Sequence, residues 1–251
     1  MFKELLLALV LCHHATTTKK SRSQTADGYV RQTYKSLYKD EEAQLHFAHS
    51  FNFKFVSRKN RQVSFLREGH EQKFDELLIR RIKVGTDSLT VSVVKPQADA
   101  GSGLTIYYRA NLRLLNKFLT PEESKVGVKD FENLKGEGIH AYGIAKHVVE
   151  PVDALEFLRI VNENMTATNN INKNDNFLLN LAQDLTFIGV FGLQVSFNYR
   201  DTLVIEDLRK NGIKLYMLSG GDEDNVCTDA NAMNLLEGFT DPIYLKGVTE
   251  R

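Results

Sequence analysis

Apolar and polar positions alternate along this chain in two distinct ways, and the change between them organises the sequence. The opening stretch, Phe2 to His14, is apolar all round a helix, with seven aliphatic residues from Leu5 to Leu11. A helix without a polar face is one that is buried. The same run has the length of a signal-peptide core. Glu4 sits in what would be its basic start, however, and His13 and His14 occupy the cleavage region, so we expect it to belong to the fold. It is also too short to cross a bilayer, which takes about 20 apolar residues.

Between Asn52 and Ala110 the period drops to two. The stretches FKFVSRKN, RQVSFLRE, KFDELLIRRIKV, SLTVSVVK and GLTIYYRA are short, β-branched and aromatic, and turn residues separate them. They predict an antiparallel sheet. Helical spacing flanks it in DEEAQLHFAHSF and in LRLLNKFL ahead of Pro121. After Gly138 the pattern alternates. HAYGIAKHVVE, TFIGVFGLQV and IKLYMLSG read as strands. VDALEFLRIVNENM, NDNFLLNLAQDL, DTLVIEDLRKNG and GDEDNVCTDANAMNLL read as helices. Such alternation predicts parallel βαβ pairing, hence α+β followed by α/β in two lobes that divide near residues 138–150 or somewhat later. ATNNINKNDN, residues 167–176, reads as a polar loop.

Composition narrows the classes. The 251 residues carry 32 basic and 32 acidic side chains, a formal net charge of +0. That leaves no electrostatic footprint for nucleic acid or an anionic membrane, so neither partner is expected. Cys12 and Cys227 stand alone, which is no disulfide framework, and a reducing cytoplasmic setting is the expectation. Asn164-Met165-Thr166 fits a glycosylation acceptor that such a setting would leave unused. No metal is expected at Cys12, His13 and His14, because helix neighbours point about 100° apart.

The densest candidate chemistry lies in DTLVIEDLRKNGIKLYMLSGGDEDNV. There a strand delivers Ser219, Gly220, Gly221 and Asp222 to a helix start, where unpaired N–H groups can hold phosphate. The alternative is that Gly220 and Gly221 permit a tight turn while Asp222, Glu223 and Asp224 cap the helix.

This segment resembles the end of the P-type ATPase phosphorylation domain. Asn211-Gly212-Ile213-Lys214-Leu215-Tyr216 matches its A-G-I-K-I-W-type strand, and Ser219-Gly220-Gly221-Asp222 its T-G-D-K loop. Upstream, Asp40-Glu41-Glu42-Ala43 and Phe51-Asn52-Phe53-Lys54-Phe55-Val56-Ser57-Arg58 resemble the P-D-E-A helix and the G-F-x-F strand of that family. Leu6-Leu7-Ala8-Leu9 to Cys12-His13-His14, and Asp184-Leu185-Thr186-Phe187-Ile188-Gly189, are similar to its phospholipid-flippase branch. The resemblance implies a nucleotide-binding domain at 1–183, an antiparallel sheet flanked by helices. It further implies a partial haloacid-dehalogenase-like (HAD-like) parallel segment at 184–251 that lacks its first strand.

It also implies what has been lost. The D-K-T-G-T motif of the catalytic aspartate is absent, the adenine-stacking aromatic falls at Ile82 or Lys83, and the K-G-A-D loop becomes Arg109-Ala110-Asn111-Leu112. The G-L-R-T motif becomes Gly138-Ile139-His140-Ala141. Vestigial nucleotide contacts would rest on Asp40, Glu41, Arg109 and His140. In the alternative, the two acids sit at a helix N-terminus, Arg109 at a solvated strand end and His140 at a half-buried position. The expectation is a protein with no catalytic residues and no cofactor, a structural or adaptor subunit whose missing strand a protein partner makes good. The alternative is an ATP-binding soluble piece of a phospholipid-transporting ATPase.

Overall fold

The computed structural model describes residues 2–19, 32–85, 87–97, 103–166, 171–194, 196, 199–218 and 223–236. Its centre is one sheet of seven strands in sequential order, antiparallel throughout. Helix α1 (Phe2–Leu11) is followed by a small hairpin, β1 (Thr16–Lys19) and β2 (Gln32–Lys35), and by α2 (Lys39–Ser50). The sheet then begins with β3 (Phe53–Lys59), β4 (Gln62–Arg67), β5 (His70–Val84), β6 (Asp87–Pro96) and β7 (Leu104–Asn111). Two helices follow, α3 (Leu112–Leu115) and α4 (Pro121–Gly136), then β8 (His140–Val149), α5 (Pro151–Thr166), α6 (Ile171–Asn180) and β9 (Thr186–Leu193). The described chain ends with α7 (Tyr199–Lys210) and α8 (Glu223–Ala232).

The sheet is covered on both faces, as its two-sided apolar strands require. On one face Leu6, Leu9 and Leu11 of α1, together with Leu45 and Ala48 of α2, pack on Phe53, Phe55, Phe65, Tyr107 and Ile144. On the other, Leu114 and Leu115 of α3, Ala154 of α5 and Leu178 of α6 pack on Val91, Val93, Ile106 and Tyr108. Successive strand residues point to opposite faces, so Tyr107 and Arg109 look toward α1 and α2 while Ile106 and Tyr108 look away.

Several expectations meet a different outcome. The opening helix is buried in the fold but ends at Leu11, not His14. LRLLNKFL yields a single helical turn, α3, and a second helix, α4, starts at Pro121. The loop expected at 167–176 is helical from Ile171 onward, and 167–170 lie outside the described residues.

The parallel pairing expected after Gly138 is not what forms, because β8 is antiparallel to both β7 and β9. The reason is the number of crossings. One helix between two strands brings the chain back parallel. Here two helices, α5 and α6, lie between β8 and β9 with a four-residue link, so the chain traverses the sheet twice and β9 runs the other way. Residues 186–193, expected in the second unit, are thus the seventh strand of the first sheet. IKLYMLSG is not a strand over its described part, 213–218, and Ser219, Gly220, Gly221 and Asp222 lie outside the described residues.

Candidate functional site

Where α1 ends and α2 begins, a polar cluster is enclosed between the two helices and the sheet. α2 opens with Asp40, Glu41 and Glu42, whose charges suit the positive end of its dipole. Its N-cap, Tyr38, makes no side-chain cap bond, and Ser36 and the acidic side chains tie the entry instead. The Ser36 backbone N–H donates to Glu42 Oε1 at 2.9 Å, and Ser36 Oγ donates to Glu41 Oε2 at 2.5 Å.

Arg109 reaches up from β7 and donates from Nη2 to Asp40 Oδ2 at 2.5 Å. Its side chain is only 2 % exposed, and its guanidinium lies over the Tyr142 ring, 4.8 Å from the centroid. Burial works against its charge, but Asp40 outweighs that and raises the arginine further above its ordinary value. Burial likewise pushes the Asp40 carboxyl up. The charge and hydrogen bond of Arg109, with Arg81 beyond, overcome this and hold it below the usual carboxylate range.

Glu41 is fully enclosed. Its carboxylate accepts from the His14 backbone N–H at 3.0 Å and lies 3.1 Å from His14 Nδ1. Burial raises its pKa, but the bonds from His14 and Ser36 bring the net shift below the ordinary value. Arg81 completes this part of the cluster. It stacks 3.7 Å over the Tyr38 ring, donates to Ser88 Oγ, and holds Nη1 3.9 Å from both Asp40 and Glu41.

A second buried pair supports α1. Arg58 Nε donates to Glu76 Oε1 at 2.9 Å, and its Nη2 donates to the Leu11 carbonyl at 3.3 Å. Gln44 Nε2 donates to the carbonyls of Leu9 and Cys12, and Ser92 Oγ donates to that of Leu11. The last carbonyls of α1 are therefore satisfied by side chains reaching in from α2, β3 and β6, where many helices use a glycine. Cluster charges balance, with Asp40, Glu41 and Glu76 against Arg58, Arg81 and Arg109.

Serine, histidine and carboxylate meet here, yet the arrangement is no nucleophile relay. Such a relay needs the hydroxyl hydrogen-bonded to the imidazole. Here Ser36 Oγ and His14 both turn to Glu41. Cys12 is buried against the sheet, and burial pushes its thiol up to about 12, so it stays protonated and unreactive. Burial and the nearby Arg58 push His13 well below its ordinary value, which keeps it neutral, and its Nδ1 accepts from the Ala15 N–H.

Of the four residues singled out as vestigial nucleotide contacts, the fold brings three together: Asp40, Glu41 and Arg109. Arg109 is not at a solvated strand end; it is among the most buried side chains in the chain. His140 lies on the same face of β8, two residues before Tyr142, where its Nε2 is 2.9 Å from Asp229 Oδ1 of α8. It is buried, and it takes no part in the cluster. Ile82, at the position of the expected stacking aromatic, is fully buried in the opposite core.

Sequence reasoning missed Arg81, His14, Ser36 and the Arg58–Glu76 pair. Arg81, Ser36 and Glu76 lie in no motif, His14 and Arg58 figure only within stretches that carry the resemblance, and the partners are 18 residues apart even in the closest cross-element arginine–carboxylate pair of the cluster, Arg58 with Glu76. Among the described residues, no helix is long and apolar enough to cross a membrane. No family model matches the chain, and no curated protein matches it.

Proposed function

We propose that this chain is a non-catalytic, P-type ATPase-like nucleotide-binding domain, joined to a remnant of an HAD-like phosphorylation domain, that works as a structural or adaptor subunit of a larger assembly. The observation that carries the reading is the closed pair Arg109–Asp40. Arg109 is the one cation retained from the K-G-A-D loop the sequence resembles. It is enclosed, bonded to a carboxylate and stacked on Tyr142. A nucleotide phosphate would have to displace Asp40, and breaking a buried pair costs about 3–5 kcal/mol. The neighbouring acids Glu41 and Asp40 would in addition repel it.

Titration calorimetry with magnesium–ATP on the purified chain tests this. The expected result is no binding heat and no phosphate release. Micromolar affinity would sink the reading in favour of the alternative, an ATP-binding soluble piece of a phospholipid-transporting ATPase. One observation favours that second reading. Among the described residues, Arg109 Nε and Arg81 Nη1 have no hydrogen-bond partner, and buried donors of this kind are ordinarily satisfied. A companion polypeptide bearing D-K-T-G-T and membrane helices would distinguish the two.

A further inference from the structure

Asn211-Gly212, which follows the last residue of α7, is the one place in the 251 residues where glycine comes directly after asparagine. Both residues are exposed. Helix α7 has no buried residue, so hydrogen bonds rather than packing hold its last turn. Gly212 takes φ 73°, its N–H donates to the Arg209 carbonyl at 2.9 Å, and the Ile213 N–H donates to that of Leu208 at 3.0 Å. The Asn211 side chain joins in, because its Nδ2 donates to the Asp207 carbonyl at 2.7 Å.

An asparagine carries an electrophile, its amide carbon Cγ, within reach of the next backbone nitrogen. Attack of the Gly212 nitrogen on Asn211 Cγ forms an N–Cγ bond and breaks the Cγ–Nδ2 bond. The proton of the Gly212 amide leaves with Nδ2 as ammonia, and a cyclic succinimide remains. Water then opens the ring at either carbonyl. Breaking the new N–Cγ bond gives aspartate, and breaking the original main-chain amide gives isoaspartate, with the chain rerouted through Cγ. A following glycine favours the attack because it has no Cβ to obstruct its nitrogen. In the closed turn both reacting groups are engaged, the Gly212 N–H on the Arg209 carbonyl and the Asn211 amide on that of Asp207. Reaction therefore waits on local opening, which costs least where little is buried.

We propose that Asn211 is a self-modification site, converted through its succinimide to aspartate and isoaspartate, at a rate set by opening of the α7 C-terminal turn, and that conversion loosens that turn. Each product loses the Nδ2 donor and places a negative charge at the negative end of the helix dipole. Isoaspartate also lengthens the main chain by a methylene just ahead of Gly212. The same turn carries Arg209, whose Nη2 donates to the Leu235 carbonyl at 2.6 Å and ties α7 to the chain just after α8. The inference stands apart from the adaptor reading, since it needs no partner. Asn180 is a matched control. It is exposed at the end of α6, and Leu181 follows it, whose side chain obstructs the same attack.

The test ages the full chain at neutral pH, folded and in urea, and maps its peptides by chromatography and mass spectrometry, which separate amide, aspartate and isoaspartate. In the folded chain Asn211 is expected to yield both acids while Asn180 keeps its amide. In urea the conversion should run about tenfold faster or more, because the turn no longer restrains either group. Gly212→Ala, compared in urea where the native turn plays no part, should slow it several-fold. Asn211→Asp, which supplies one of the products at the outset, should speed amide exchange in the last turn of α7 by about two- to fivefold. An Asn211 that keeps its amide in the folded chain, converts no faster than Asn180, or yields aspartate alone would overturn the site. A Gly212→Ala chain that converts as fast would overturn the route through the succinimide. Equal rates with and without urea would overturn control by the turn, and unchanged exchange in Asn211→Asp would overturn its loosening.

Discussion

Arg109 and Asp40 are 69 residues apart in sequence, and the bond between them is the best measure of how much of the cluster is structural. Arg109→Met removes the cation and leaves a partly buried carboxylate, so urea unfolding should show a loss of about 3–5 kcal/mol. Replacing both partners, as Asp40→Leu with Arg109→Met, should recover most of that, since an apolar pair of similar volume carries no desolvation cost. Acid titration reads the same cluster. Asp40 and Glu41 sit below their ordinary values of 3.8 and 4.5, so they contribute stability that is present above those values and lost as pH falls through the folded-state pKa. Glu76, which burial raises against the partial compensation of Arg58, acts with the opposite sign as pH rises above its ordinary 4.5. Thermal unfolding followed downward from pH 5 should show the melting temperature falling, and Glu41→Gln should flatten that fall. The acidic start of α2 and Arg109 were singled out beforehand, though not their pairing. Arg81, and the turn of His14 and Ser36 toward Glu41, carry no local pattern that announces them.

At the scale of elements, caps and glycines decide more than propensity. α4 escaped the hydrophobic pattern because only Gly127 in it is buried. Its signal was chemical. Thr120 Oγ1 accepts from the Glu123 N–H and donates to Glu123 Oε2, and Pro121 stands in the first turn, an N-cap followed by proline. Thr120→Ala should cost about 1 kcal/mol in chemical denaturation. Two glycines make a contrasting pair. A Cβ at Gly103 would stand 2.1 Å from the Val149 carbonyl oxygen, a backbone atom that cannot step aside, whereas one at Gly136 meets nothing within 4 Å. Gly103→Ala should therefore destabilise the β7–β8 pairing. Gly136→Ala should stabilise by about 0.5–1 kcal/mol, both read from unfolding midpoints. The strands themselves were largely legible, since β3 to β7 alternate or run apolar between turns. The direction of β9 was not, because it depends on how many helices cross between it and β8.

For the molecule as a whole, α1 is the central pillar, with Leu9, Val10 and Leu11 fully buried beneath the sheet. Leu9→Ala should cost about 2–5 kcal/mol, the range for a large-to-small change in a closed core. Cys12, enclosed beside it, should resist a thiol reagent in the native state and react only on unfolding, while Cys227, part-exposed on α8, labels first. Two-phase labelling followed by mass spectrometry would show this, and rapid modification of Cys12 would mean that α1 opens readily. The sequence by itself determined that the seven stretches forming β3 to β9 are strands and that the opening helix is interior along its aliphatic run from Leu5 to Leu11. Those properties are local, set by periodicity, capping and composition. Tertiary structure alone decided the strand order, the antiparallel return of β9, the enclosure of Arg109 by Asp40 and the solvent exposure of 213–218. Each depends on which distant segments share a face, and no single segment carries that information.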